Sequence, residues 1–177
     1  MRTMRTMRTM KAALLLLSAG VLGLTSVAAC DTEDATTAVV DNHDPSVVYR
    51  AWWVTTYFDN PVAAGTTSDS LRAVPVTGPA YALLAPGWDA TSSTAPTSYA
   101  VRQTRAPLSI TRGRELHIVV SDDAFLGSCG APLSGDDRTF IAERIFPGEL
   151  TGFTYDATTC LFTPTPADAG TDAGDGG

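Results

Sequence analysis

The sequence predicts a mainly β domain, a sandwich or partly open barrel carrying one short helix at about residues 135–146. Three observations predict it. Residues 47–58, VVYRAWWVTTYF, are β-branched and aromatic on both parities, which suits a strand covered on two faces. Short apolar runs then recur between clusters of Pro, Gly, Ser and Thr, the spacing of an all-β fold. Only the stretch from Ser134 to Gly148 carries helix signals instead.

Taken in order, Asp59-Asn60-Pro61 ends the first run, and extended segments are expected at 71–76, 81–85 and 98–103. Leu108 to Thr111 and Leu116 to Val120 alternate on either side of Arg112-Gly113-Arg114, which reads as a hairpin with Gly113 able to take positive φ. Ser134-Gly-Asp-Asp137 has the form of a capping box, with Asp in the Glu position. Asp136 and Asp137 suit the positive end of a helix dipole, and Pro147-Gly148 closes the run. Residues 150–155 and 159–163 return to extended structure and are expected to complete the sheet. Residues 46–163 thus form one domain, with an acidic Gly/Ala/Asp tail at 164–177 too poor in apolar side chains to offset its ordering entropy.

Charge excludes several chemistries. The four cations Arg2, Arg5, Arg8 and Lys11 precede every acid, so the chain after residue 29 keeps eight Arg, no Lys and all 19 acids, a balance of −11. No phosphate-loop lysine, Schiff-base amine or lysine base is present there. Nucleic acid is excluded as a partner on charge, because its binders gain affinity by neutralising phosphates. Two histidines, His43 and His117, are too few for an H-E-x-x-H zinc site, and no G-x-S-x-G or G-x-G-x-x-G occurs. No cofactor is implied.

The N-terminus reads as an export signal at residues 1–29. Three Met-Arg-Thr repeats offer Met1, Met4, Met7 or Met10 as initiator. Lys11 then precedes 18 uncharged, mostly apolar residues, 12–29, ending in Ala28-Ala29. That run is close to the roughly 20 residues of a membrane span. Small residues at its end and acids rather than cations after it favour cleavage. Val27-Ala28-Ala29-Cys30 resembles the lipobox of bacterial lipoproteins. The resemblance covers the leader alone and implies that Cys30 becomes the mature N-terminus and carries diacylglycerol and a further acyl chain. It places the protein in the bacterial envelope, anchored to a bilayer through Cys30, and Asp31 resembles an inner-membrane retention signal. Cleavage without lipid is the competing reading. Residues 30–45, acidic and Thr/Ala-rich, are expected to be a tether.

With Cys30 acylated, Cys129 and Cys160 remain as an even pair, and an oxidising compartment favours joining them. The alternative makes Cys129 a nucleophile activated by His117.

Four constellations bear on function. Trp52, Trp53 and Trp88, with Tyr49, Tyr57 and Phe58, offer flat rings that can stack on sugars. Neighbours Trp52 and Trp53 must point to opposite faces of a strand, and core packing is the simpler role for most of these rings. Asp122-Asp123 and Asp136-Asp137 supply oxygens for calcium but lack its fixed-offset loop, and helix capping accounts for the second pair. His117 with Asp122, Asp123 or Ser128 sketches a hydrolase, although His117 has the parity opposite to Leu116, Ile118 and Val120 and is expected to face outward. Paired carboxylates for glycoside hydrolysis have no favoured members among so many acids. The expectation is a non-enzymatic envelope domain that binds an envelope protein or glycan or serves structurally. The alternative is an envelope hydrolase acting on a glycan or peptide.

Overall fold

Alternating and two-sided apolar runs must bury their side chains against a second layer, and here they do so twice. The computed structural model describes residues 35–166 apart from Ser128 and Gly130. The leader, Cys30 and the tail from Ala167 lie outside the described residues.

One sheet has three strands. β1 (Thr37–Asn42) lies at its centre, antiparallel to β4 (Leu71–Arg72) and parallel to β9 (Glu115–Val120). The second sheet is fully antiparallel, in the order β10 (Phe125–Leu126), β7 (Ala100–Thr104), β6 (Ala80–Ala85), β2 (Val47–Trp53), β3 (Thr56–Phe58). Two small ladders complete the fold, β5 (Thr77–Gly78) with β8 (Leu108–Ser109), and β11 (Phe153–Asp156) with β12 (Leu161–Pro164).

The sheets pack face to face around Ala38, Val40, Ile118 and Val120 on one side and Val48, Ala51, Trp53, Ala82, Leu84 and Phe125 on the other. The outer face of the five-stranded sheet carries a second core, Leu83, Tyr99 and Val101, covered by Ile141, Ile145, Phe146 and Leu150. The domain is therefore a β sandwich with a helical layer on one outer face, as the alternation of its strands predicts.

That layer starts as expected. Ser134 caps α1 (Gly135–Phe140): its Oγ accepts from the Asp137 backbone N–H at 3.1 Å and donates to Asp137 Oδ2 at 2.6 Å. A π-type turn, Ile141–Ile145, follows and delivers Ile141 and Ile145 into the core. Pro147 ends this run as expected: Phe146 before it has already left helical geometry, with φ −124° and ψ +49°. Pro147 itself occupies the first turn of α2 (Pro147–Leu150), where its missing N–H has no partner to lose.

Four expectations are corrected. The tether does not extend to residue 45: β1 lies within it, with Ala38 and Val40 fully buried, because a Thr/Ala/Val run that aligns with β9 has apolar surface on both faces to cover. Residues 47–58 are not one strand but a hairpin, turning at Val54, where φ is +54°. Residues 108–120 are not a hairpin: Gly113 has the expected positive φ of +69°, yet β8 leaves for β5 and β9 for β1. The runs expected at 150–155 and 159–163 pair with each other as β11 and β12 rather than extending the large sheet, to which the Tyr99–Phe162 bridge joins them.

Candidate functional site

Cross-strand register assembles a row of side chains along one rim of the large sheet. Trp52 pairs with Tyr57 on β3 and with Tyr81 on β6, Tyr81 pairs with Gln103 on β7, and Gln103 with Leu126 on β10. Residues in register share a face, so these five point the same way. The helical layer covers the next rows inward but leaves this rim half-open: Tyr57 is 39% exposed, and Trp52, Tyr81, Gln103 and Leu126 are half-buried. From α1, Phe140 adds a ring 6.3 Å from Tyr81 and is itself 47% exposed, while Trp52 and Tyr81 lie 6.4 Å apart. A continuous line of rings, Tyr57, Trp52, Tyr81 and Phe140, therefore borders solvent.

Polar groups flank it. The Tyr57 hydroxyl donates to Glu149 Oε1 at 2.6 Å, and Arg50 Nε lies 3.6 Å from the same oxygen. Burial and then the Glu149 carboxylate push the Tyr57 phenol well above its ordinary value. Tyr81 is raised in the same sense, by burial and then by the charge of Asp137. Both phenols stay protonated at neutral pH and can donate hydrogen bonds. Deeper in the same face, Tyr99 is pushed up to about 12 by burial, then by Tyr49 and Glu149.

The three tryptophans separate. Trp52 belongs to the rim. Trp53 is fully buried in the inter-sheet core, its indole N–H donating to the Gly78 carbonyl at 3.0 Å, so it is removed from the ligand platform. Strand parity forces one of the two inward. Trp88 packs edge-on to Tyr49 at 5.3 Å, and its indole donates to the Thr94 carbonyl, which makes it a loop brace away from the register row.

His117 faces outward as its parity predicts, but its partners are not those expected. Nδ1 lies 2.6 Å from Asp41 Oδ2 and Nε2 3.5 Å from Glu115 Oε1. Thr67 donates to Asp41, and Ser70 and Thr37 donate to Glu115. Burial works to raise the Asp41 pKa, yet the hydrogen bonds of Thr67 and His117 and the charges of His117 and His43 bring it below its ordinary value. This chain of polar groups staples β1 to β9. Asp41 was missed because its strand was read as tether.

Cys129 and Cys160 form a disulfide, with Cα atoms 5.5 Å apart, which removes the free thiol that a Cys129–His117 dyad requires. The acid pairs do not converge either. Asp122 pairs with Arg102, Asp137 bonds the Ser134 cap, and among the described residues no group of three metal-ligating side chains occurs. Ser128 lies outside the described residues.

A groove of about 640 Å³ runs between the helical layer and the β11–β12 ladder, lined by Arg138, Leu150, Phe153, Tyr155 and Phe162 among others. The Arg138 guanidinium lies over the Tyr155 ring at 4.1 Å within this lining. No family model matches the chain, and neither curated proteins nor solved structures yield a match.

Proposed function

We propose that the protein is an exported, lipid-anchored lipoprotein of the bacterial envelope. Its β domain binds an envelope glycan, without chemistry, along the rim Tyr57, Trp52, Tyr81 and Phe140. The observation that carries the binding role is this line of half-exposed rings flanked by Glu149, Gln103 and protonated phenols. A pyranose offers an apolar C–H face to a ring and hydroxyls to neighbouring polar groups, so alternating flat and polar surface suits it. Packing sheet cores needs no such line at the solvent border.

Two features support the placement. Positions 11–30 have the order cation, apolar run, small residues, cysteine. The Cys129–Cys160 bridge belongs to an oxidising compartment rather than to a reducing cytosol. The bridge also occupies two of the three cysteines, leaving Cys30 for the acyl chains, which at about 0.8 kcal/mol per buried methylene hold a protein on a bilayer.

Metabolic labelling with palmitate tests the anchor: label is expected on the wild type and lost in Cys30→Ser. Co-sedimentation with purified envelope glycan tests the rim. Trp52→Ala and Phe140→Ala are each expected to weaken retention about tenfold, a loss of ~1.4 kcal/mol, with the Trp88→Ala loop variant unchanged. Equal retention of all three overturns the glycan reading.

A further inference from the structure

We infer that the groove between the helical layer and the β11–β12 ladder takes an extended peptide segment of a partner protein, which adds as an antiparallel strand to the open edge of β11 and sets one acidic side chain against Arg138. None of the four rim rings lines this groove, so the site is separate from the aromatic rim.

The first step concerns the backbone. Antiparallel pairing alternates residues whose N–H and C=O face the neighbouring strand with residues whose groups face away from it. The Thr165 N–H donates to the Gly152 carbonyl at 2.7 Å, which puts Gly152, Thr154 and Asp156 in the set facing β12 and turns Phe153 and Tyr155 outward. The far edge of the ladder is taken, because the Phe162 N–H donates to the Tyr99 carbonyl at 2.7 Å and the Phe162 carbonyl accepts from the Tyr99 N–H at 3.0 Å. The N–H and C=O groups of Phe153 and Tyr155 meet no partner among the described residues. Such an edge is a template for another strand. Open edges are common, but this one borders a groove of about 640 Å³, with Phe153, Tyr155 and Phe162 on the strand side and Arg138, Ala142 and Leu150 on the helical side.

The second step is what the groove offers to side chains. Residues of an added strand that lie opposite Phe153 and Tyr155 turn their own side chains to the same face, and so into the groove. At the Tyr155 end the half-buried Arg138 lies over the ring and donates to the Leu133 carbonyl at 2.6 Å. No carboxylate lies within ion-pair reach of it among the described residues. A guanidinium with N–H donors to spare suits a carboxylate. The acids closest to it in sequence and register are engaged elsewhere: Asp137 with the Ser134 hydroxyl, and Asp156 with Thr158 and Thr159. Glu143 is the acid among the described lining residues, and it works against a second acid in the ligand. At the other end Phe153 and the buried Leu150 offer apolar surface. Since β11 runs from Phe153 to Tyr155, a segment antiparallel to it reads acid, any residue, aliphatic from its own N-terminus. Both walls are held in place beforehand. Phe153 packs edge-on to Tyr99 at 5.2 Å and Tyr155 to Phe162 at 5.5 Å, and the Cys129–Cys160 bridge ties the chain before α1 to the turn between β11 and β12. A groove formed in advance loses little entropy when it is filled.

The test titrates the isotope-labelled full chain with six capped pentapeptides, in which Thr alternates with one acid (Asp or Glu) and then one aliphatic (Val, Ile or Leu), and follows the amide resonances. At least one peptide is expected to give saturable shifts at the Phe153 and Tyr155 N–H groups. Replacing its acid by the corresponding amide is expected to weaken binding about tenfold, the scale of one charge-assisted hydrogen bond, and Arg138→Gln is expected to do the same to the unaltered peptide. N-methylation of the acid or of the aliphatic should abolish binding, whereas N-methylation of the Thr between them should be tolerated. Trp52→Ala at the rim is expected to leave binding unchanged. Six peptides that move neither amide overturn the site. Binding indifferent to the acid overturns the role of Arg138. Binding insensitive to the position of the N-methyl group overturns strand addition and assigns the groove to a compact ligand.

Discussion

Arg102 and Asp44 are an ion pair sealed between the two sheets: Nη2 lies 3.0 Å from Oδ2, with side chains 10% and 2% exposed. The other carboxylate oxygen accepts from the Ser46 N–H at 2.8 Å, and Asn42, fully buried, accepts from the Asp44 N–H and donates to the carbonyls of Ser46 and Val62. Arg102 reaches on to Asp122 at the surface. The connection from β1 to β2 is thus held by polar groups inside an apolar sandwich, and β7 is tied to it.

Removing one member leaves a charge with no water to solvate it. Arg102→Met is expected to destabilise the domain by about 3–5 kcal/mol in urea titration. Arg102→Met with Asp44→Asn should recover a large part of that loss, because no charge remains buried. A single variant within about 1 kcal/mol of wild type would show that Asp44 finds another cation or water.

How much of this was legible in sequence depends on how local each signal is. Ser134 and Asp137 lie three residues apart, and the cap they form was readable because all its atoms belong to one turn. The opposite sides taken by Trp52 and Trp53 follow from strand parity alone. β1 was not readable. Its acids and threonines resemble a spacer, and its identity as a strand depends on β9, whose Glu115 lies 78 residues from Thr37. The same non-local pairing undid the expected hairpin at 108–120, where a correct turn at Gly113 joins strands belonging to different sheets. The aromatic rim was half-visible: Trp52 was marked, but Tyr81 and Phe140 join it only through register and the helical layer.

The disulfide closes a loop between residues 31 apart in sequence. Cys129→Ala with Cys160→Ala is expected to lower stability by about 3–4 kcal/mol on the chain-entropy account, read as a drop in the urea midpoint with the secondary structure retained. Reduction of the wild type with dithiothreitol should reproduce the shift. If reduction leaves the midpoint unmoved, the bridge does not constrain the unfolded chain.

Asp41 gives the domain an acid-sensitive contact. Its folded pKa lies below the ordinary carboxylate value, so its contribution is complete above about pH 4, the unfolded value. It is lost as pH falls through the lower folded value. Asp41→Asn is therefore expected to cost about 1 kcal/mol at pH 7, the scale of one hydrogen bond exchanged. The gap from wild type should close as pH falls toward 2. A gap that stays constant across this range would mean that shape rather than charge is what Asp41 supplies.

The hairpin of β2 and β3 stores strain that a double-mutant cycle can expose. Val54, β-branched, is held at φ +54°, a region that costs an L-residue roughly 1–2 kcal/mol. Its Cγ2 lies 2.6 Å from where a Cβ on Gly78 would stand, and the Gly78 carbonyl accepts the buried Trp53 indole N–H. Gly78→Ala must push Val54 or shift the carbonyl away from Trp53, and is expected to destabilise by about 1–3 kcal/mol. Val54→Gly relieves the backbone and vacates the contested space, at the loss of some apolar contact with the core, so alone it should be close to neutral. In the Val54→Gly background Gly78→Ala should cost less than about 0.5 kcal/mol, giving a coupling of about 0.5 kcal/mol or more between the two sites by urea titration. Additive effects would place the cost of Gly78→Ala in its own backbone rather than in the collision with Val54.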